Sequence, residues 1–311
     1  MVLVVEGTGL LGSTVSAKLL DEGRRVRVMT ATPERAARLA HLGADVVTGD
    51  LRDGASLARA CQDVERVAAV APNLAGGGLD GAPIGDASAQ LRLVDAALGA
   101  RVAHFVYVSS LGAAPGHPLA CFRAVHHVEA HLRASKLSYT TLRVPTFMES
   151  WVAGIGSPIL AQRRAMIVGP GRNPINTIAV EDVAHYVLLA LYHPGARDRI
   201  IEIGGLENPT AREVAATFGR VAGRSARTIH LPLPLVRALG KLLRPFGRGT
   251  SELLTLAAHR STSDQRFDPA TTLAEFPLRL TTVEEFAYRM QRAARQPQGT
   301  EGASRGPSSL A

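Results

Sequence analysis

Short apolar runs alternate along this chain with longer stretches in which apolar residues recur every three or four positions, the signature of strands followed by helices. Runs at residues 2–5, 25–30, 44–48, 67–71, 104–109, 139–144 and 199–203 predict strands, and helical spacing over 13–21, 34–42, 121–135 and 180–192 predicts helices between them. Repeated alternation of this kind predicts an α/β protein with a doubly wound parallel sheet. Residues 147–160 are apolar but irregular, and from residue 210 onward the pattern is mostly helical, with a short strand near 228–231 and a helix at 234–243. The expected organisation is a Rossmann core over 1–150, to which 175–204 returns, and a small, discontinuous, mostly helical substrate-side subdomain from 151–174 and 205–295. Residues 73–85 are glycine-rich without periodicity and predict a loop, a lid or plain surface, at the carboxyl end of the fourth strand. The low-complexity tail, 296–311, predicts disorder.

The composition, with 46% hydrophobic and 20% charged residues in 311, suits a large buried core. The net charge of +8 does not change that picture, because the basic residues are dispersed and few are lysines. The basic stretch 237–248 falls on a helix where a solvated face suffices, so no nucleic-acid partner is expected. No apolar run is long enough to span a bilayer and no basic leader precedes the first strand, so the expectation is a cytoplasmic protein without a membrane partner. Cys61 and Cys121 have neither metal nor redox spacing, and fit a reducing compartment.

The most specific local signal is Val2-Leu3-Val4-Val5-Glu6-Gly7-Thr8-Gly9-Leu10-Leu11-Gly12, a buried strand running through G-x-G-x-x-G into a helix. Glycines in such a turn let the backbone approach a pyrophosphate, whose charge faces the free N–H groups of the helix start. Together with Gly49-Asp50-Leu51, Val106-Tyr107-Val108-Ser109-Ser110-Leu111-Gly112-Ala113, Leu142-Arg143 and Phe147-Met148-Glu149-Ser150-Trp151, this run resembles the NmrA-like atypical short-chain dehydrogenases/reductases over roughly residues 1 to 290. The resemblance implies a Rossmann fold binding NADP or NAD. The contacting residues it implies are Gly7, Thr8, Gly9, Leu10, Leu11, Gly12, Thr30, Arg35, Asp50, Leu51, Ala71, Pro72 and Ser109. It also implies a substrate pocket that includes Phe147, Met148 and Trp151, although core packing uses the same residue types.

Departures from the family pattern bear on chemistry. Where its turn usually begins with glycine, this chain has Glu6. A carboxylate about 6 Å from one pyrophosphate charge would cost on the order of 2–3 kcal/mol at an effective dielectric of about 20; turned to solvent, it would escape most of that. No acid ends the second strand, and Thr30, Thr32 and Arg35 could hold a 2′-phosphate, which favours NADP, with NAD left open. Arg35 reads equally as a solvated helix residue.

The family's Tyr-x-x-x-Lys dyad corresponds here to Cys121 and Val125, so both members are missing. That disfavours simple carbonyl reduction and leaves C=N, activated C=C or quinone reduction. Ser110 could orient a substrate oxygen, and His126 or His127 could supply a proton. Spacing of His127, Glu129 and His131 provides no third metal ligand, so no metal is expected. The expectation is an NADP-dependent oxidoreductase with a small apolar substrate, and self-association left open. The rivals are a non-redox cyclase, isomerase or dehydratase and a non-catalytic nucleotide sensor.

Overall fold

The computed structural model describes residues 1–70, 86–243 and 248–295. Ala71, Pro72, the predicted loop 73–85, residues 244–247 of the basic stretch and the tail 296–311 lie outside the described residues. The amino-terminal half runs β1 Val2–Val5, α1 Leu10–Asp21, β2 Val26–Thr30, α2 Ala37–His41, β3 Asp45–Thr48, α3 Gly54–Cys61, β4 Arg66–Val70, α4 Ser88–Gly99, β5 His104–Ser110, α5 Ala120–Ala134 and β6 Tyr139–Val144. There follow β7 Thr146–Phe147, α6 Trp151–Leu160, β8 Ala165–Val168, β9 Thr177–Ile178, α7 Val180–Tyr192, β10 Arg199–Glu202, α8 Ala211–Val221, β11 Thr228–Leu231, α9 Leu233–Leu242, α10 Arg248–Arg260, α11 Ala270–Glu275 and α12 Val283–Arg295.

Among the described residues, seven strands pair in parallel in the order β10-β6-β5-β4-β1-β2-β3. The order reverses between β1 and β4, the switch point where doubly wound sheets open a ligand crevice at the strands' carboxyl ends. Central strands are apolar on both sides because helices cover both faces. Val4, between Val28 and Ala68 in register, packs with α1 and α7, whereas Leu3 packs on the opposite face with Leu57 and Leu93.

Two helices differ from the sequence expectation. The helix expected at 34–42 is split into a 3-10 turn at Pro33–Ala36 and the short α2, with Pro33 in the first turn, where its missing N–H costs nothing. The segment read as irregular at 147–160 contains a ten-residue helix, α6, despite Gly154, Gly156 and Pro158. Packing overrides propensity there: a Cβ on Gly156 would lie 2.2 Å from the Phe218 ring of α8, so glycine lets the two helices close. Val152, Ile155, Ile159, Val214, Phe218 and Phe286 form a separate core between α6, α8 and α12.

Asn176, 1% exposed, joins this second layer to the sheet. Its side chain donates to the Gly205, Glu207 and Phe267 carbonyls and accepts from the Gly205 N–H. The Glu149 carboxylate accepts the Val180 N–H at 3.1 Å and so occupies the amino end of α7. No helix among the described residues is long and apolar enough to cross a membrane.

Candidate active site

The glycine turn leaves β1 at the switch point. Gly7 abuts β2, since a Cβ there would come 2.6 Å from Val28 Cγ1, and Gly12 abuts the turn itself, since a Cβ would come 2.4 Å from the Glu6 carbonyl oxygen. Gly9 is different: within 4 Å its Cβ would meet only that same carbonyl, at 3.3 Å. The turn is thus closed towards the protein and open at Gly9, and no side chain caps α1, whose first N–H groups are left for an anion. Leu10 is exposed beside it, whereas Leu11 is buried in the core and can serve a ligand only through its backbone.

Glu6 takes the left-handed conformation, φ 56°, that a glycine adopts without strain, and its carbonyl accepts the Gly9 N–H at 2.9 Å. Beyond the turn, Thr8 Oγ1 lies 3.0 Å from Thr30 Oγ1, which accepts the Thr32 N–H at 3.1 Å. The three threonines make a hydroxyl-lined strand end. Arg35 is exposed in the following 3-10 turn and makes no ion pair among the described residues. Asp50 follows β3, with its carboxyl held below the usual range by hydrogen bonds from Arg52, and Leu51 is buried beneath it. These groups fit a dinucleotide: an open anion cradle, hydroxyls for a ribose and a cation beside them.

Along the same edge, the ends of β4, β5 and β6 open into a cleft of about 460 Å³. Its walls include Val70, Ser110, Val144 and Phe147 from the sheet side, and His259, Arg260 and Asp264 from the carboxyl-terminal layer. A second cavity of about 320 Å³, lined by Trp151, Ile155, Ile167 and Leu256, shares Ser150 and Arg260 with the first. Phe147 and Trp151 therefore face different cavities, and Met148 faces neither, being fully buried in the second core.

The structure places Ser109, His126 and His127, named from the sequence, as follows. Ser109, expected beside the cofactor, lines the cleft at the end of β5, and its hydroxyl donates to Glu129 Oε1 at 2.6 Å, deep between sheet and α5. Arg143 closes the same carboxylate with bonds of 3.0 and 2.7 Å. His126 and His127 do not line the cleft: His126 faces Glu129, 3.7 Å away, and His127 is exposed. The reason is helical phase, since Cys121, Val125 and Glu129 occupy the inward face of α5 and the histidines fall beside it.

The dyad positions themselves are filled by packing. Cys121 lies against Phe122 and Leu256, with burial pushing its thiol pKa up, and Val125 is buried. The imidazoles that do line the cleft are His117 and His259, with ring centres 5.1 Å apart and edge to face. Burial lowers the pKa of both. The Leu119 N–H donates to His117 Nδ1 at 3.1 Å, so the neutral ring carries its proton on Nε2. Neither histidine belongs to a motif, and the loop before α5 and the end of α10 bring them together from distant parts of the chain. Only the tertiary fold reveals the pair.

The fold and the open glycine cradle define a Rossmann protein of the NAD(P)-dependent atypical short-chain dehydrogenase/reductase type. The chain belongs to the NmrA-like family, whose model matches residues 1–287. It is similar to the (4-alkanoyl-5-oxo-2,5-dihydrofuran-3-yl)methyl phosphate reductase of Streptomyces griseus, 30% identical over 88% of this chain and 92% of that protein. It is also similar to the photosystem II assembly factor Ycf39 of Guillardia theta, 26% identical over 91% of this chain and 92% of the relative. Among solved structures, the NADPH-dependent quinone oxidoreductase QOR2 of Escherichia coli, complexed with NADPH, superposes with a TM-score of 0.76 at 22% identity. That match covers 93% of this chain and 99% of the oxidoreductase, and shows the shared fold.

Proposed function

We propose that this protein is an NADPH-dependent reductase of a small molecule with an electron-poor double bond, a conjugated C=C or a quinone. The observation that carries the reading is the cleft at the ends of β4, β5 and β6, which shares an edge with the open glycine turn and contains imidazoles instead of the Tyr-x-x-x-Lys dyad. Thr8, Thr30, Thr32 and Arg35 favour the phosphorylated cofactor, because the strand end offers hydroxyls and a cation and no acid to hold a free ribose diol. A bound reduced nicotinamide supplies hydride.

Gly9 and the uncapped start of α1 would hold the negative charge of the dinucleotide. His117 would offer its Nε2–H to a substrate oxygen, where a neutral imidazole polarises the conjugated system as charge develops. Such assistance suffices for an activated acceptor and is weak for a plain ketone, in keeping with the missing tyrosine and lysine. The Streptomyces griseus relative, named for a dihydrofuranone substrate, supports a conjugated acceptor, and the Escherichia coli oxidoreductase supports a quinone.

A second reading, a non-catalytic nucleotide-binding assembly or regulatory protein, is favoured by the lost dyad together with the likeness to Ycf39. The two separate on turnover. NADPH oxidation with a panel of quinones, enones and butenolides should proceed at the expense of the substrate double bond, with cyclohexanone inert. If NADPH binds but no member of the panel is reduced, the assembly reading replaces this one.

A further inference from the structure

Both cavities meet at Arg260, the last residue of α10. Every other charged side chain on the walls of the larger cleft is matched. Glu202 accepts from Arg143 at 3.1 Å, and Asp264 accepts from Arg266 at distances down to 2.7 Å. The Arg260 guanidinium makes no hydrogen bond or ion pair with any described residue; only its backbone carbonyl is used, by Asn173. Burial pushes its pKa down to about 10, which leaves it charged at neutral pH, and the neighbouring acid is the protonated Cys121 thiol. A guanidinium partly withdrawn from water without a partner is costly, and an anion from outside is the partner that removes the cost.

The smaller cavity, on the far side of Arg260, is walled by Trp151, Ile155, Ile167, Ile175, Leu253 and Leu256. Beside an unmatched cation, such a wall fits an alkyl or acyl chain. We propose that the site takes an amphiphilic oxyanion, a phosphate or carboxylate on Arg260 with an apolar tail in the cavity lined by Trp151. The inference rests on the reading of the cleft as the substrate site and narrows its substrate from apolar to anionic and tailed.

Trp151 is the only tryptophan in the chain and lies in the tail cavity, so its fluorescence reports occupancy without cofactor or turnover. The probes are octyl phosphate, butyl phosphate, octanoate, octanol and inorganic phosphate, titrated into the full chain. Octyl phosphate and octanoate should shift the emission, and octyl phosphate should bind at least tenfold tighter than octanol. Affinity should rise by about threefold to fourfold per methylene between the butyl and octyl esters, and inorganic phosphate should leave the emission unchanged.

Arg260→Gln should weaken octyl phosphate at least tenfold while octanol binding stays the same, and Arg260→Lys should restore part of the loss. Gly154→Leu provides a second variant, at a helix position where a Cβ meets nothing within 4 Å and a leucine replaces a residue of poor helix propensity. Gly154 lines the tail cavity, so this change should abolish the advantage of octyl over butyl phosphate. Equal binding of octyl phosphate and octanol, an undiminished response in Arg260→Gln, or no response to any probe would overturn the proposal. None of these depends on NADPH oxidation, so a failed reductase assay and a failed binding assay remain distinct.

Discussion

Ser109 and Glu129 are joined by a 2.6 Å hydrogen bond inside the layer between β5 and α5, and Arg143 grips the same carboxylate from β6. Glu129 is 1% exposed, and removing it would leave the Arg143 charge with only the Glu202 contact at its outer end. Glu129→Ala should therefore cost about 3 kcal/mol in urea unfolding, as expected when one partner of a buried pair is removed. Glu129→Leu combined with Arg143→Met should recover most of that loss. Ser109→Ala should change stability by about 1 kcal/mol and leave NADPH affinity as it was.

Glu6 is strained as well as charged. Glu6→Gly should raise stability by about 1 kcal/mol, because glycine enters the left-handed region without the clash of a Cβ. NADPH should bind roughly tenfold to a hundredfold tighter in calorimetric titration once the carboxylate is gone. Gly12→Ala should do the opposite, since its Cβ would strike the Glu6 carbonyl and displace the turn.

Removal of the cleft imidazole tests the proposed chemistry. His117→Phe should lower kcat/KM for the best conjugated acceptor by roughly a hundredfold, whereas the same change at His126 or His127, outside the cleft, should leave it within about twofold. Burial lowers the His117 pKa, so activity should be level through the usual histidine range and fall only at more acidic pH. There a second proton on Nδ1 would confront the Leu119 N–H and break the bond that orients the ring.

Acid sensitivity of the whole fold should follow from His104. It is buried on β5, with Nε2 3.0 Å from Thr140 Oγ1 and 3.1 Å from the Ala190 carbonyl, and burial lowers its pKa. In the unfolded chain this histidine takes up a proton as pH falls through about 6.5, while the native form resists. Its contribution to stability is therefore full above that value and declines below it, by at most about 1.4 kcal/mol per pH unit per proton. His117 and His259 add in the same direction. Urea midpoints at neutral and mildly acidic pH should show the slope, and His104→Gln should flatten it while lowering stability at neutral pH.

The sheet was legible in the sequence because its central strands, β1 above all, are buried on both faces and read as apolar runs between helical stretches; β6 and α7 fall at the expected 139–144 and 180–192. The glycine turn was legible because it is contiguous. The helix α6 was not, because its glycines and proline oppose helix and only the Phe218 contact shows why they are tolerated. Substrate-side groups were the least legible. His117, His259 and Arg260 belong to no local pattern, and the partners that give them meaning, or leave Arg260 without one, come from other parts of the chain. The Ser109 position at a strand end is visible in sequence, while the direction of its hydroxyl depends on Glu129.

The bonds of Asn176 to Gly205, Glu207 and Phe267 also set an order of assembly. During synthesis the glycine turn and its neighbouring strands emerge before the carboxyl-terminal layer and can pair among themselves. The cleft has no far wall until α10 and Phe267 have left the ribosome, and Phe276 and Leu280 must still follow to complete the main core. A nascent chain halted before residue 267 would present the nucleotide cradle with the substrate side unroofed, its Asn176 amide lacking the Phe267 carbonyl and held by Gly205 and Glu207. Retention on immobilised nucleotide would then precede, by tens of codons, any capacity to retain a substrate.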